Sequence, residues 1–161
     1  MKINVPITSV SARTTIIKAW LLAGTLDILS ALLYYYIKTG KDPANVLRYV
    51  ASAVFGKTAF SGGTSMAAAG LLLHYIIALC WTIFFFLICP WIISVLKSTI
   101  VTGLVYGIFV WLVMNLAVVP MGASPKAPFN ILNAIINTVI LMFAVGLPIS
   151  IIVNRYYREK K

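Results

Sequence analysis

The chain has 161 residues, of which 61% are hydrophobic and only 10% charged, with a mean hydropathy of +1.00. That excludes an ordinary soluble domain, in which about a quarter of residues carry charge. A net charge of +10 would suit nucleic acid, but Lys2, Arg13, Lys18, Lys97, Arg155, Arg158, Lys160 and Lys161 flank apolar runs and gather on no recognition helix. No nucleic-acid partner is expected; the partner is a lipid bilayer with anionic head groups.

Four runs, about 16–37, 65–89, 99–119 and 131–153, are each near or above the ~20 residues needed to cross a bilayer. The expected fold is an all-α membrane protein: one domain over 1–161, with four transmembrane helices and a short amphipathic helix between the first and second. The first run exceeds a signal-peptide core and ends in Tyr34, Tyr35 and Tyr36 with no small-residue cleavage site, so it reads as a retained span. Near its middle lies Asp27, one of three acidic residues in the chain. A carboxylate there costs roughly 2.5–3.5 kcal/mol on insertion scales, so it needs a partner or a wet cavity inside the bundle. Its helical neighbours Trp20, Ala23, Gly24, Ser30, Ala31 and Tyr34 form a small and polar stripe that points into protein.

In the first connection, Asp42 followed by Pro43 reads as an N-cap with proline at the first helical position. Val46, Leu47, Val50, Val54 and Phe55 recur at helical spacing, which predicts an amphipathic helix over about 43–55 at the membrane surface, with Arg48 and Lys57 reaching head groups and the Val/Leu/Phe side resting on lipid or on the bundle. Gly56 to Gly63 then reads as a tight, partly re-entrant turn containing Phe60, Gly62 and Gly63. Gly56-Lys57-Thr58 lacks the earlier glycine and the strand of a phosphate loop.

The second span carries His74, the only histidine, on a face with Ala67, Gly70, Ala78 and Trp81. Cys80 and Cys89, nine residues apart, lie on opposite faces of this helix and cannot bridge; both are expected as buried thiols. Pro90 is expected to close the span, and Pro120, Pro125 and Pro128 to shape the third connection. Gly103-x-x-x-Gly107 in the third span and Gly63, Ala67 and Gly70 in the second are close-packing faces, within one chain or in a homo-oligomer. Gly146 with Pro148 is expected to kink the fourth span. Tyr34–36, Trp91, Tyr156 and Tyr157 read as interfacial anchors.

Eight Lys and Arg fall on the N-tail, second connection and C-tail, against five on the first and third connections, which predicts cytoplasmic termini. With that orientation Asp27 lies ~15 Å below the outer rim and His74 ~14 Å, level with each other; Asn115 lies ~6 Å and Asn137 ~9 Å deep, the latter on the face of Asn130 and Asn133. Two readings of Asp27, His74, Asn115 and Asn137 compete. They are a polar network gluing the helices, at about 0.6 kcal/mol per contact, or they line a cavity that holds a small polar or amphipathic ligand or relays protons.

No catalytic residue, metal site or cofactor is expected. There is one His, no H-E-x-x-H, and Cys80 sits about 120° round the helix from His74. The chain does not read as an enzyme. The alternative to a ligand or proton cavity is a structural or partner-binding membrane subunit, motivated by the Gly103/Gly107 face and the amphipathic first connection.

The ordered motifs Gly24-Thr25-Leu26-Asp27-Ile28, Ala59-Phe60-Ser61-Gly62-Gly63, Gly70-Leu71 with Leu73-His74, Tyr106-Gly107 and Met114-Asn115 leading to Val118-Val119-Pro120 resemble a family of small, uncharacterised bacterial inner-membrane proteins, broadly YagU-like. The resemblance covers about 19–148. It implies a four-span protein of the bacterial inner membrane, carries no activity, and draws attention to Asp27, the Phe60-Gly62-Gly63 turn, His74, Asn115 and Pro120. Where that family carries a basic pair in the second connection this chain has only Lys97, which weakens the orientation the resemblance implies.

Overall fold

A computed structural model describes residues 11–125 and 128–160; Lys2, Lys126 and Lys161 of the charge count lie outside them. Four helices are long and apolar enough to cross a membrane: α1 (Ala12–Thr39), α3 (Gly63–Leu96), α4 (Thr99–Met121) and α5 (Ile131–Glu159). The shorter α2 (Ala44–Phe55) joins the first two. No strand occurs among the described residues. This is a multi-pass membrane protein.

Local sequence sets the helix ends. Ser11 accepts the Thr14 N–H at the start of α1, and Gly40, at φ +65°, closes it by donating to the Tyr36 carbonyl. Asp42 Oδ1 accepts the Ala44 N–H at 3.0 Å and its other oxygen pairs with Arg48 at 3.1 Å. The Ala44 N–H first, then Arg48, hold the Asp42 carboxyl below the usual range.

Pro90 does not end the second span. The helix runs on to Leu96, and the turn into α4 is only Lys97, at φ +53°, and Ser98, whose hydroxyl caps α4. Proline lacks an N–H and so orphans the Phe86 carbonyl one turn earlier. The Tyr157 hydroxyl donates to that carbonyl at 2.9 Å, which lets the helix continue. Pro120 likewise lies inside α4, not in the third connection. Two residues before Pro120 a π-helical turn, Met114–Val118, ends; the same spacing separates the π-helical turn Met142–Gly146 from Pro148. In each case the wider turn absorbs the missing bond, and the irregularity expected at Gly146–Pro148 is this turn.

The two ends of the bundle differ. At the terminal end, which holds the start of α1, the end of α5 and the Lys97–Ser98 turn, lies the core: Ala19, Phe85, Cys89, Tyr106, Ile149 and Val153 are buried from four helices. Tyr106 donates to the Trp81 carbonyl at 2.6 Å. Here α4 and α5 meet through glycines. A Cβ on Gly146 would strike the Gly103 carbonyl, and one on Gly107 the Met142 backbone. Tyr156 and Tyr157, expected as interfacial anchors, instead belong to this packing, because α5 extends to Glu159. Cys89 is buried as expected but Cys80 is exposed on the outer face of α3.

The opposite, loop end is covered by α2 and the third connection. Gly70 of α3 accepts the backbone of α2 so closely that a Cβ there would strike the Leu47 carbonyl. The buried face of α2 is Ala51 and Ser52, while Val54 and Phe55 are exposed. Arg48 does not reach for head groups; it donates to Asp42, Asn45 and the Gly63 carbonyl and staples α2 to the start of α3. The Ala123 N–H bonds the Ala53 carbonyl at 3.0 Å, and Ser52 bonds Ser124 at 3.0 Å, docking the third connection onto α2. The helix expected to lie on the membrane surface is therefore part of the bundle's cover.

Candidate functional site

Between the core and this cover lies a cavity of about 260 Å³. Asp27, His74, Asn115 and Asn137 all line it, one from each spanning helix. Asp27 lies ~18 Å along α1 from Thr39 and His74 ~17 Å along α3 from Gly63, the level placement that residue counting predicts. Ala23, Val110, Val145 and Ile149 close the floor, and all four also belong to the core that holds the buried Phe85 and Tyr106. Val50 of α2 contributes to the roof.

His74 is fixed by one bond. Its Nε2 lies 2.9 Å from the Gly24 carbonyl, which can only accept, so Nε2 carries the hydrogen and Nδ1 of the neutral ring is an acceptor. Around it the α1–α3 contact is braced by Trp20 Nε1 donating to the Tyr75 carbonyl at 2.7 Å and by a Thr25–Tyr75 hydroxyl bond of 2.8 Å. Tyr75 also stands edge-on to His74 and to Trp20. Gly24 is needed for this approach, since a Cβ there would sit 3.1 Å from the Tyr75 ring.

Asp27 and His74 share the cavity but form no ion pair. Among the described residues, such pairs within 4.0 Å are Arg48–Asp42 and Arg155–Glu159. Asn115 donates through Nδ2 to the Trp111 carbonyl at 2.9 Å, and Asn137 to the Asn133 carbonyl at 2.8 Å, each on its own helix. Of the four polar side chains only His74 bonds across to another helix. The π-helical turn at Met114–Val118 sets the register that brings both Met114 and Asn115 to the cavity wall.

Trp111, Asn115, Val119 and Asn137 also line a second pocket of about 530 Å³ that continues toward the loop end. Its far wall holds Tyr49, Ser124, Phe129, Asn130 and Asn133. It forms a vestibule between α2 and the third connection. Asn133 there accepts from both Tyr34 and Lys38.

Other residues singled out in the sequence lie elsewhere. Phe60 is exposed at the end of a 3-10 turn, Gly56–Phe60, and Gly62 and Gly63 form the entry to α3, with Gly63 at φ +59°. None of the three lines the cavity. Gly103 and Gly107 are consumed by packing on α5 within the chain, which removes the surface that motivated a subunit-binding role for them. Conversely, Tyr75 and Trp111 belong to the site, although nothing in their spacing marks them. Val50 on the apolar stripe of α2, Met114 beside Asn115, and Trp20 and Trp81 on the Asp27 and His74 faces did carry a signal. Among the described residues no group of three His, Cys, Asp or Glu comes together that could hold a metal ion. No protein-family model, curated protein or solved structure matches the chain.

Proposed function

We propose that this chain is a bacterial inner-membrane protein of the YagU-like kind, with cytoplasmic termini, whose cavity binds a small amphipathic ligand admitted through the vestibule. The observation that supports it most is the convergence of Asp27, His74, Asn115 and Asn137, from four different helices, on one cavity whose remaining walls are apolar. Charged residues at bilayer depth are costly and mark pathways or binding sites. The polar groups here spend little on holding helices together, since Asn115 and Asn137 bond their own helices. Cytoplasmic termini follow from the excess of Lys and Arg on the tails and the Lys97 turn.

A second reading has one observation in its favour. With Nε2 pinned to Gly24, the free Nδ1 of His74 shares a cavity with a carboxyl group, the arrangement a proton relay through bound water requires.

One experiment addresses both. Protein purified from membranes is extracted with solvent and the extract analysed by mass spectrometry, while the same protein in liposomes is tested for proton flux under a pH gradient. Ligand binding predicts a molecule recovered near equimolar with the wild type and lost from Asp27→Leu. A relay predicts flux that disappears in Asp27→Asn and His74→Ala. No recovered molecule, no flux and unchanged thermal stability in these variants would remove the functional reading altogether.

A further inference from the structure

The charge around the cavity is more selective than its shape. The chain carries 13 Lys and Arg against 3 acidic residues, yet among the described residues no Lys or Arg lines either the cavity or the vestibule. Among the described residues Asp27 is the one acidic side chain of the cavity, and the vestibule has none. No ion pair within 4.0 Å and no hydrogen bond involves its carboxyl group among the described residues. In a protein with so large an excess of cations, a cavity that presents a carboxyl group and, among the described residues, no Lys or Arg suits a cationic ligand.

The neighbouring groups fit the same partner. His74 spends its Nε2 hydrogen on Gly24, leaving Nδ1 as an acceptor when neutral. Asn115 and Asn137 each turn Nδ2 back onto their own helix, and among the described residues neither Oδ1 receives a protein donor. Trp81, whose indole N–H is engaged by the Met114 sulfur at 3.4 Å, and Trp111 both line the cavity. Indole faces attract organic cations, and the attraction grows where water is excluded. Bare metal ions would find too few oxygens beside these walls.

We propose that the ligand of this cavity is an amphipathic amine in its protonated form, its ammonium facing Asp27 and its apolar body against the Ile77, Ile140 and Val145 walls. This names the ligand class for the site and rests on the ligand-binding reading above.

The test uses the full-length protein in nanodiscs of zwitterionic lipid, with empty nanodiscs as the blank, titrated calorimetrically at neutral pH. Three probes of equal chain length are compared: hexylamine, 1-hexanol and hexanoate. A charge-assisted hydrogen bond predicts hexylamine binding at least about tenfold tighter than hexanol, with hexanoate weakest. In Asp27→Asn the amine-to-alcohol ratio should fall to about one, by the same reasoning. Hexanol or hexanoate binding the wild type as tightly as hexylamine overturns the amine assignment and leaves a ligand cavity standing. Saturable binding of none of the three overturns both. The wild-type comparison stands without the variant, so misfolding of Asp27→Asn would not rescue the proposal.

Discussion

The two ends of the bundle hold polar side chains in opposite ways. At the terminal end they are spent on joining helices: Ser150 donates to the Thr99 carbonyl at 2.8 Å, Asn154 to the Thr99 hydroxyl, Tyr106 to Trp81 and Tyr157 to Phe86. Thr15 and Thr82 bond their own helices there, and the buried Thr102 hydroxyl has no partner among the described residues. In the cavity Asp27, Asn115 and Asn137 make no bond to another helix among the described residues, and the cross-links of this end, from His74, Arg48 and Tyr34, lie around them. In a bilayer, where lipid is as apolar as the core, helices associate through close packing and such interhelical bonds. The difference therefore assigns cohesion to one half and leaves the other free to be open.

If that division is right, the largest effect comes from disturbing a close backbone contact between α4 and α5. A Cβ on Gly107 meets the Met142 and Leu141 backbone, which no side-chain rotation can clear, so α4 and α5 must part. Gly107→Ala is expected to cost about 3 kcal/mol, the upper range for overpacking, read as the shift in a denaturant unfolding curve of the purified protein. A loss below about 1 kcal/mol would mean this contact is loose and the comparison is drawn in the wrong place.

A smaller effect tests a single bond. Tyr157→Phe keeps the ring against Phe86 but returns the carbonyl orphaned by Pro90 to an unsatisfied state. The expected cost is about 1 kcal/mol by the same unfolding measurement. Pairing it with Pro90→Ala sharpens the point. The alanine N–H can satisfy the Phe86 carbonyl, so Tyr157→Phe should cost clearly less in that background. Equal costs would show that the hydroxyl is not compensating for the proline.

Much of this architecture could be read from composition and counting. Run lengths gave the four spans, and rise per residue placed Asp27 and His74 at one level because both depend only on helix geometry. The inward faces of Asp27 and His74 followed from the small residues one turn away. What could not be read depended on partners far along the chain. Pro90 and Pro120 looked like terminators because their local cost is plain, while the remedies, a hydroxyl 67 residues later in one case and a π-helical turn in the other, are not local. The role of α2 was legible only in part. Its apolar stripe could rest on lipid or on the bundle, and the choice falls to Ala51 and Ser52, which fit against the glycine and alanine face of α3, a match of shapes that hydropathy does not report. Direct contact between Asp27 and His74 was also beyond counting. Depth gives level and not separation, and among the described residues no ion pair within 4.0 Å joins the two.

The smallest expected effect is at the residue with the highest insertion cost. Asp27 contributes no interhelical bond, and its carboxyl group faces the cavity without a counter-ion among the described residues. Asp27→Asn preserves the shape and removes the charge, so unfolding stability should stay within about 1 kcal/mol of the wild type or rise, as it does where a site is kept polar at the expense of stability. A loss of more than about 2 kcal/mol, the ceiling for a polar contact between spans, would make Asp27 a structural tie and erase the contrast between the two ends. Stability retained while the bound molecule or the proton flux is lost would instead separate cohesion from function along the axis of one bundle. The dry half would then set how firmly α1 stands, and Asp27 would be carried on it as a group whose worth lies in what enters from the vestibule.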